Sequence, residues 1–380
     1  MKTIRFGIIG GGLMGREFAS AAARWCHLPK MDVRPEIVAV CDKNSSVFEW
    51  YRQNFSTVKQ TTDDYRSLLA NKDVDAVYAA VPHNLHQEVY SAVIEAGKHL
   101  MGEKPFGIDL AANEAILAAI QKHKNVFVRC CSQMPFYPGV QKIGQMIEAG
   151  EIGTVIEVET GFLHSSDINA EKPINWKRMV EINGRYGVLG DLGMHACHVP
   201  FRAGWRPTNV RAILSNIVKQ RPDGKGRLVP CETWDNGTLL CETLDSLRDE
   251  TFPWTFKAFR IAPGEKNTWY VRIRGTKTSV RWSTKNPKLL EVLRYDGGEQ
   301  TWGRIDMGAE GAFESITGGI FETGFSDAVQ QMWAGYLYEL AHNQPKSKFA
   351  GCVTPDEANL SHKLFTAALE SNEKRSTVAV

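Results

Sequence analysis

The chain contains 380 residues, enough for two domains of ordinary size. Hydrophobic residues make up 43% and charged residues 23%, a mixture typical of a globular protein with a large core, which excludes a mainly disordered chain. The formal net charge of +2 provides no overall field for binding DNA, RNA or an anionic membrane, so we expect a small-molecule ligand and neither a nucleic-acid nor a membrane partner.

Short β-rich runs alternate with helical segments through about residue 130. Leu110–His123 is the clearest of the helical segments. Strands and helices that alternate at this spacing predict βαβ units, and therefore an α/β domain whose parallel sheet is covered on both faces. The runs with strand character are Ile4–Ile9, Glu36–Cys41, Asp75–Val81, His99–Gly102 and Val126–Cys131.

The pattern changes after about residue 150, where strand-like runs follow one another with turns between them. The pairs Asn236-Gly237 and Asp296-Gly297 are typical of turns. Antiparallel strands with a few helices predict an α+β second domain. Its predicted strands are Val155–Phe162, Val210–Val218, Gly237–Thr243, Trp269–Arg274 and Ser279–Ser283, and its predicted helices are Pro138–Gly150, Thr323–His342 and Thr354–Ser371.

Three glycines follow the first predicted strand in the spacing Gly10-x-Gly12-x-x-Gly15. The first permits a tight turn, the second lets a pyrophosphate approach the backbone, and the third lets the helix pack closely on the strand. The helix that begins with Leu13 and Met14 then directs free N–H groups at the phosphates. A purely structural turn is the alternative, but the place of this turn between strand and helix favours dinucleotide binding.

An acidic residue, Asp42, closes the second predicted strand, as in other dinucleotide-binding domains. Its distance from the glycine turn is longer than usual, and the Leu28–Pro35 stretch with its two prolines explains the extra length. A carboxylate there accepts hydrogen bonds from the adenosine ribose hydroxyls and repels a 2′-phosphate. We therefore predict NAD as the cofactor and NADP as the less favoured one, although the neighbouring Lys43 softens the preference.

The segment Leu100–Pro105 follows a predicted strand at the edge where an open α/β sheet binds its ligand. Lys104 is a candidate site residue there, because Pro105 disfavours α geometry in the preceding residue and keeps it extended. A solvated surface turn is the alternative, since such turns often contain a Glu-Lys pair such as Glu103-Lys104.

Further polar residues lie in the segment Gly190–His198. Asp191 and His195 are four residues apart, so on an α-helix they share a face, where the carboxylate orients the imidazole as a general base requires. Two alternatives stay open: an Asp N-cap with a buried histidine, and a metal site in which His198 is the third ligand. We predict no metal, because a nicotinamide site needs none.

Taken together, these motifs resemble the Gfo/Idh/MocA family of NAD(P)-dependent sugar and polyol oxidoreductases over nearly the full chain. The loop Val81–His86 resembles the family's Thr-Pro-Asn-x-x-His loop, which it matches at Pro82 and His86 and from which it departs at Val81 and His83. The other matching segments occur in family order and are the glycine turn, Asp42, Glu103-Lys104-Pro105, Gly150-x-Ile152-Gly153, Asp191-x-Gly193-x-His195 and Gly275-Thr276-Lys277.

The resemblance implies a two-domain oxidoreductase that forms oligomers. Residues 1–135 are expected to form a Rossmann domain that binds NAD(P). Residues 136–380 are expected to form an α+β domain with an open, mostly antiparallel sheet for substrate binding, and the C-terminal helix packs back on the first domain. The free face of that sheet packs against another subunit in the family, so the resemblance implies a homodimer or homotetramer.

The family roles apply to the matching positions of this chain. Lys104, Asp191 and His195 are the implied catalytic group: His195 accepts the hydroxyl proton, Asp191 orients it, and Lys104 stabilises developing alkoxide charge. Glu103 and the Pro82–His86 loop are implied to lie near the cofactor. The expected cofactor-binding residues are Gly10, Gly12, Leu13, Met14, Asp42, Pro82, Asn84, His86, Glu103 and Lys104.

Candidate substrate-binding residues surround the catalytic segment. Trp176 can stack on the apolar face of a sugar ring, and Lys177 and Arg178 can donate hydrogen bonds to its hydroxyls, with a buried Trp and solvated basic neighbours as the alternative. The family often has a basic residue where this chain has Ser132-Gln133, and an aspartate at His198, so specificity is left open. The predicted substrate contacts are Gln133, His164, Trp176, Lys177, Arg178, Asp191 and His195.

We therefore expect a cytoplasmic NAD-dependent oxidoreductase that transfers a hydride between a secondary hydroxyl of a sugar, anhydrosugar or inositol and nicotinamide. The cytoplasm is expected because the N-terminal apolar run is too short for a signal peptide and the eight cysteines form no CxxC motif. A redox-assisted glycoside-cleaving enzyme with tightly bound NAD is one alternative. A non-catalytic dinucleotide-binding regulator is the other.

Overall fold

The structure is a computed structural model that describes residues 1–319 and 321–380. The chain divides into two compact units, each built from separate segments of sequence. The first unit comprises Met1–Gly107, Ala111–Tyr137 and Gly308–Ala358, and the second comprises Ile108–Leu110, Pro138–Met307 and Asn359–Val380.

The strands and helices are numbered here in chain order. The strands are β1 (Lys2–Ile9), β2 (Val33–Cys41), β3 (Gln60–Thr62), β4 (Ala76–Ala79), β5 (His99–Gly102), β6 (Val128–Cys130), β7 (Val155–His164), β8 (Trp205–Ser215), β9 (Gln220–Pro222), β10 (Leu228–Pro230), β11 (Asn236–Asp245), β12 (Glu250–Phe259), β13 (Asn267–Gly275), β14 (Thr278–Ser283), β15 (Leu289–Arg294), β16 (Gly303–Asp306) and β17 (Val378–Ala379). The α-helices are α1 (Leu13–Ala23), α2 (Phe48–Asn54), α3 (Tyr65–Leu69), α4 (His86–Glu95), α5 (Leu110–Lys122), α6 (Pro138–Glu148), α7 (Val180–Asn183), α8 (Met194–Ala203), α9 (Phe325–His342) and α10 (Pro355–Lys374). Within the described ranges, no helix combines the length and the apolar character needed to cross a membrane.

The first unit contains a six-stranded sheet in the order β3-β2-β1-β4-β5-β6, and every pair in it is parallel. Its central strands are buried because they are continuous apolar runs: Phe6 and Ile8 of β1 are fully buried, as is the whole of β4. The order reverses between β1 and β4, and a parallel sheet of this kind binds ligands beyond the carboxyl ends of its strands at that point. The predicted α/β fold of this part is confirmed.

The first unit also contains α9, although this helix was expected to belong to the second domain, residues 136–380. The reason is a cluster of aromatic side chains. Trp333 of α9 stacks on Phe18 with ring centroids 3.8 Å apart and meets Phe6 and Tyr78 edge-on. The last helix, α10, begins in the first unit and continues in the second from Asn359.

The second unit contains a nine-stranded sheet in the order β16-β15-β14-β13-β7-β12-β11-β8-β17. Its pairs are antiparallel except for β7 with β12, so the sheet is mixed and mostly antiparallel, as predicted. The strands β12, β15, β16 and β17 of this sheet were not predicted. A separate two-stranded ribbon is formed by β9 and β10.

One predicted turn is wrong. Asn236 and Gly237 begin β11, where they pair with β8 on one side and β12 on the other. Packing favours glycine at position 237, because a Cβ there would lie 2.8 Å from the side chain of Leu189 and 3.0 Å from that of Leu214. The other predicted turn holds: Gly297, with a φ of +89°, lies between β15 and β16.

Candidate active site

The glycine turn joins β1 to α1 in the first unit, and two of its glycines are required by the backbone. Gly10 has a φ of +97°, and a Cβ there would lie 2.2 Å from the carbonyl oxygen of Ala80. A Cβ at Gly15 would lie 2.4 Å from the carbonyl oxygen of Gly10. Both contacts exclude a larger residue, so the chain turns sharply and α1 packs closely against it.

The outer side of the same turn is open. A Cβ at Gly12 would meet no heavy atom of the described residues within 4 Å, and Leu13 is 75% exposed while Met14 is partly exposed. No side chain caps the start of α1, so its first N–H groups and its positive dipole end are available to an anion. This open turn fits the pyrophosphate of a dinucleotide.

Asp42 follows β2 and is bound to the glycine turn. Its Oδ2 accepts the N–H of Gly11 at 2.8 Å, and its Oδ1 accepts the N–H of Asn44 at 2.8 Å. The residue is partly exposed, and each carboxylate oxygen can accept a further hydrogen bond. Asp42 therefore fixes the turn and still offers acceptors for the ribose hydroxyls of NAD.

The Pro82–His86 loop differs from the prediction at His86. This imidazole is fully buried and contacts backbone groups: its Nε2 lies 3.1 Å from the carbonyl oxygen of Val81, and its Nδ1 accepts the N–H of Gly107 at 3.2 Å. These two contacts join the loop to the backbone at Gly107. Pro82 is partly exposed and Asn84 is exposed, so both are available for contact.

Glu103 and Lys104 follow β5, close to the carboxyl end of the parallel sheet. Glu103 accepts two tyrosine hydroxyls, that of Tyr78 on its carboxylate at 2.7 Å and that of Tyr90 on its carbonyl at 2.9 Å. Burial raises the pKa of the Glu103 carboxyl above its usual range. Lys104 is partly exposed and precedes a cis peptide bond to Pro105. Tyr78 thus holds the Glu103 side chain and Tyr90 holds the Glu103 backbone, from which Lys104 follows.

In the second unit, Asp191 and His195 are not on one regular α-helix as predicted. Asp191 lies in a π-helical turn, Leu189–Gly193, and His195 lies in the first turn of α8. The i and i+4 argument therefore does not describe their geometry, because a π turn is wider than an α turn. The His195 ring is nearly buried and meets the ring of Phe162 edge-on at 5.5 Å.

The Asp191 carboxylate is 1% exposed and is bound by two cations. Lys177 Nζ lies 3.1 Å from Oδ1 and 3.0 Å from Oδ2, and Arg260 Nη2 lies 2.8 Å from Oδ2. A buried carboxylate is stable as an anion when it is paired in this way. Sequence reasoning identified Asp191 and Lys177 and missed Arg260, which directly follows the unpredicted strand β12.

The structure contradicts the predicted role of Arg178. Its side chain is 0% exposed, ion-paired with Asp167 at 2.7 Å and with Asp235 at a shorter distance. A guanidinium used in this way has no surface to present to a sugar. The carboxylates of Asp167 and Asp235 are separated from Arg178 along the chain, so no local sequence signal indicated that it is buried.

The other predicted substrate contacts are at or near a surface. Trp176 and Lys177 are partly exposed, with Lys177 Nζ 5.7 Å from the Trp176 ring centroid. His164 ends β7 and lies 4.8 Å from Phe162, the ring that also meets His195. Gln133 lies in the first unit, 9% exposed, before the short 3-10 helix Met134–Phe136.

The metal alternative would require Asp191, His195 and His198 to lie together as ligands. No group of three or more His, Cys, Asp or Glu side chains is arranged to hold a metal ion in the part of the chain that the structure describes. His198 is buried within α8.

Two family models match the chain, one for each part. The oxidoreductase family with an NAD-binding Rossmann fold matches residues 4–129, and the GFO/IDH/MocA C-terminal domain matches residues 140–281. The prediction of an NAD-binding Rossmann domain is thereby confirmed.

Curated relatives include three sugar or inositol dehydrogenases. Levoglucosan dehydrogenase of Pseudarthrobacter phenanthrenivorans is 28% identical over 305 residues, which cover 77% of this chain and 76% of that protein. D-xylose 1-dehydrogenase (NADP(+)) of Hypocrea jecorina is 32% identical over 322 residues, which cover 79% and 77%. Inositol 2-dehydrogenase of Rhizobium meliloti is 23% identical over 300 residues, which cover 78% and 80%.

Solved structures show the same fold over the whole chain. A levoglucosan dehydrogenase in complex with NADH and L-sorbose aligns with a TM-score of 0.87 at 23% identity, covering 100% of this chain and 99% of that chain. An oxidoreductase domain protein from Kribbella flavida aligns with a TM-score of 0.86 at 24% identity, covering 100% of both chains.

Proposed function

The chain belongs to the Gfo/Idh/MocA family of oxidoreductases, and we propose that it is a dehydrogenase which transfers a hydride between a secondary hydroxyl of a sugar, anhydrosugar or inositol and NAD. The observation that supports this reaction best is the Asp191 carboxylate, held by Lys177 and Arg260 in the turn that leads into His195. A hydroxyl substrate needs a proton acceptor and fixed polar groups around it, and this segment supplies both.

His195 is the proposed proton acceptor. In the oxidative direction the substrate hydroxyl loses its proton to the imidazole, the same carbon loses a hydride, and the C–O bond becomes a carbonyl. NAD, when bound at the open glycine turn, supplies the hydride acceptor at its nicotinamide. In the reductive direction His195 returns the proton. Asp191 orients the imidazole.

Lys104 is proposed to stabilise negative charge on the substrate oxygen as its proton leaves. Trp176 is proposed to contact the sugar ring and Lys177 its hydroxyls. Both side chains are partly exposed, Lys177 lies beside the Trp176 ring, and it is bound to Asp191. His164 and Gln133 are proposed as neutral contacts at the edge of the site. Arg178 is left out of this set because it is fully buried.

A substrate screen tests the reaction class. NAD⁺ and NADP⁺ reduction would be followed at 340 nm over inositols, aldoses, anhydrosugars and glycosides. We expect net NADH formation with free sugars or inositols, and a lower rate with NADP⁺. Cleavage of glycosides without net NADH formation would instead indicate redox-assisted cleavage, and binding without any turnover would indicate a nucleotide-binding regulator.

His195→Ala tests the acid/base assignment with the substrate found in the screen. We expect kcat to fall about 100- to 10,000-fold, because a positioned proton acceptor contributes about that much to such a step. NAD affinity, measured by fluorescence titration, should be unchanged. His123→Ala, just after α5 in the first unit, is the control and should keep wild-type kcat. A wild-type hydride-transfer rate in His195→Ala would exclude this assignment.

The assembly and the compartment are part of the proposal. A homodimer or homotetramer through the exposed face of the nine-stranded sheet is supported by two apolar side chains on neighbouring strands, Ile213 at 60% exposure and Leu240 at 53%. Placement in the cytoplasm is supported by the eight cysteines, which form no disulfide bond in the described residues and suit a reducing environment.

A further inference from the structure

The second unit contains a row of alternating charges that begins at the partly exposed Lys177 and ends deep in the protein. Each member lies within 4.0 Å of the next, and all except Lys177 are less than one-tenth exposed. Three cations alternate with three anions, so the row is neutral as a whole. We refer to it as the ion row, and in order it consists of Lys177, Asp191, Arg260, Asp167, Arg178 and Asp235.

The two cations at Asp191 differ in mobility. Lys177 is 37% exposed and extends on a flexible stem, whereas the Arg260 side chain is 4% exposed. Lys177 can therefore move away from Asp191 and donate a hydrogen bond to a ligand hydroxyl. Arg260 is not, because its guanidinium also lies 4.0 Å from Asp167 and is enclosed by protein.

The inner end of the row is fixed by backbone groups. Asp235 accepts the N–H groups of Ile217 at 2.6 Å and Val218 at 2.9 Å, and Arg178 joins it to Asp167. A chain of buried charges with every member paired is rigid, since moving one member leaves its partner uncompensated. Arg260 therefore connects Asp191 to an immobile part of the unit.

We propose that Arg260 is a positioning residue for the reaction: it holds the Asp191 carboxylate in place while Lys177 leaves it to bind the substrate. This inference rests on the proposed function, because it gives Asp191 a role toward His195. The two cations therefore have different tasks. Lys177 binds the substrate, and Arg260 keeps Asp191 in the geometry that His195 needs as proton acceptor.

Arg260→Met and Arg260→Lys test the proposal, with levoglucosan, D-xylose and myo-inositol as probe substrates. We expect Arg260→Met to lower kcat about 100-fold with little change in KM, because a displacement of about 1 Å in a positioning group costs about that much. Arg260→Lys keeps the charge and should lie between this variant and the wild type. A primary isotope effect on kcat with deuterated substrate should increase, which a smaller folded fraction would not cause.

Arg129→Met is the matched control, because Arg129 forms a partly buried ion pair with Glu339 at 2.7 Å in the first unit. It should lose stability without losing kcat per folded molecule. The proposal is overturned if folded Arg260→Met keeps kcat within about threefold of wild type, or if the control loses as much kcat. Should Arg260→Met not fold, Arg260→Lys alone decides by the same threshold.

A crystal structure of Arg260→Lys gives a readout that needs no activity. A shift of the Asp191 carboxylate by about 1 Å or more supports the proposal, and an unchanged position overturns it. If the wild type turns over none of the probes, the proposed function fails while this structural result still decides the role of Arg260.

Discussion

Asp191 shows how far single residues could be understood from sequence. Asp191 was identified from its spacing of four residues to His195, and Lys177 from the Trp176–Arg178 segment that precedes them. Arg260 was missed because it reaches Asp191 only through the tertiary fold. The same reason explains Arg178, whose partners Asp167 and Asp235 come from distant segments, so its burial could not be anticipated.

At the same scale, Asp167 should make stability depend on acid pH. Burial, the largest single effect, raises its pKa, but the charges of Lys172, Arg178 and Arg260 together lower it below the usual range. A carboxyl with a lowered folded-state pKa contributes stability above its unfolded pKa of about 3.9 and loses it as the pH falls through the folded value. The difference in unfolding free energy between wild type and Asp167→Asn should therefore be constant from neutral pH to about 5.

Urea unfolding at a series of pH values measures this difference. The difference should narrow only below about pH 4. Asp63→Asn, at an exposed aspartate, is the control and should show no such difference in free energy at any pH. A difference for Asp167→Asn that narrows between pH 7 and 5 would contradict the assigned direction of the shift.

Among the elements, five of the six strands of the first sheet were predicted within a few residues because buried parallel strands are continuous apolar runs. The edge strand β3 was missed, because its three residues are polar and only partly buried. In the second unit β12 was missed, and Pro253 within it is the reason, since proline argues against a strand interior. The structure accommodates this proline where β12 pairs only with β11: pairing with β7 begins at Trp254, one residue later. Apolar residues at alternate positions of β12, which the structure buries, are the sequence signal that could have revealed this strand.

Helix α9 is the element whose assignment changed, and Trp333→Ala tests its place in the first core. Trp333 is 1% exposed and packs on Phe6, Phe18 and Tyr78, so its truncation should cost about 3–5 kcal/mol of unfolding free energy. In this variant NAD binding should weaken at the temperature at which the first unit unfolds. Trp302→Ala, at a partly exposed tryptophan, is the control. A loss below about 1 kcal/mol would show that α9 is not part of that core.

For the whole molecule, the two units do not follow the order of the chain. The first unit is completed only by Gly308–Ala358, after the chain has formed most of the second. The family models stop at residue 281, so neither covers this returning segment. The expected division into residues 1–135 and 136–380 had one boundary and so did not include this return of the chain to the first unit.

The proposed assembly makes a prediction at the same scale. Ile213→Asp with Leu240→Asp places two charges on the exposed sheet face, and we expect light scattering after size exclusion to show a lower mass than the wild-type oligomer. Leu228→Asp, at a 66% exposed residue of the β9–β10 ribbon, should leave the mass unchanged. A monomeric wild type, or an unchanged mass in the double variant, would rule out this interface.

The two hydrogen bonds of Asp42 have a consequence for changing the cofactor preference. The carboxylate that we propose to bind the ribose also accepts the N–H groups of Gly11 and Asn44, so it is a structural part of the glycine turn. Replacing Asp42 to admit a 2′-phosphate would release both groups at once. An engineered NADP-dependent variant would therefore need a second substitution that restores an acceptor for them, and selectivity and affinity cannot be adjusted separately at this position.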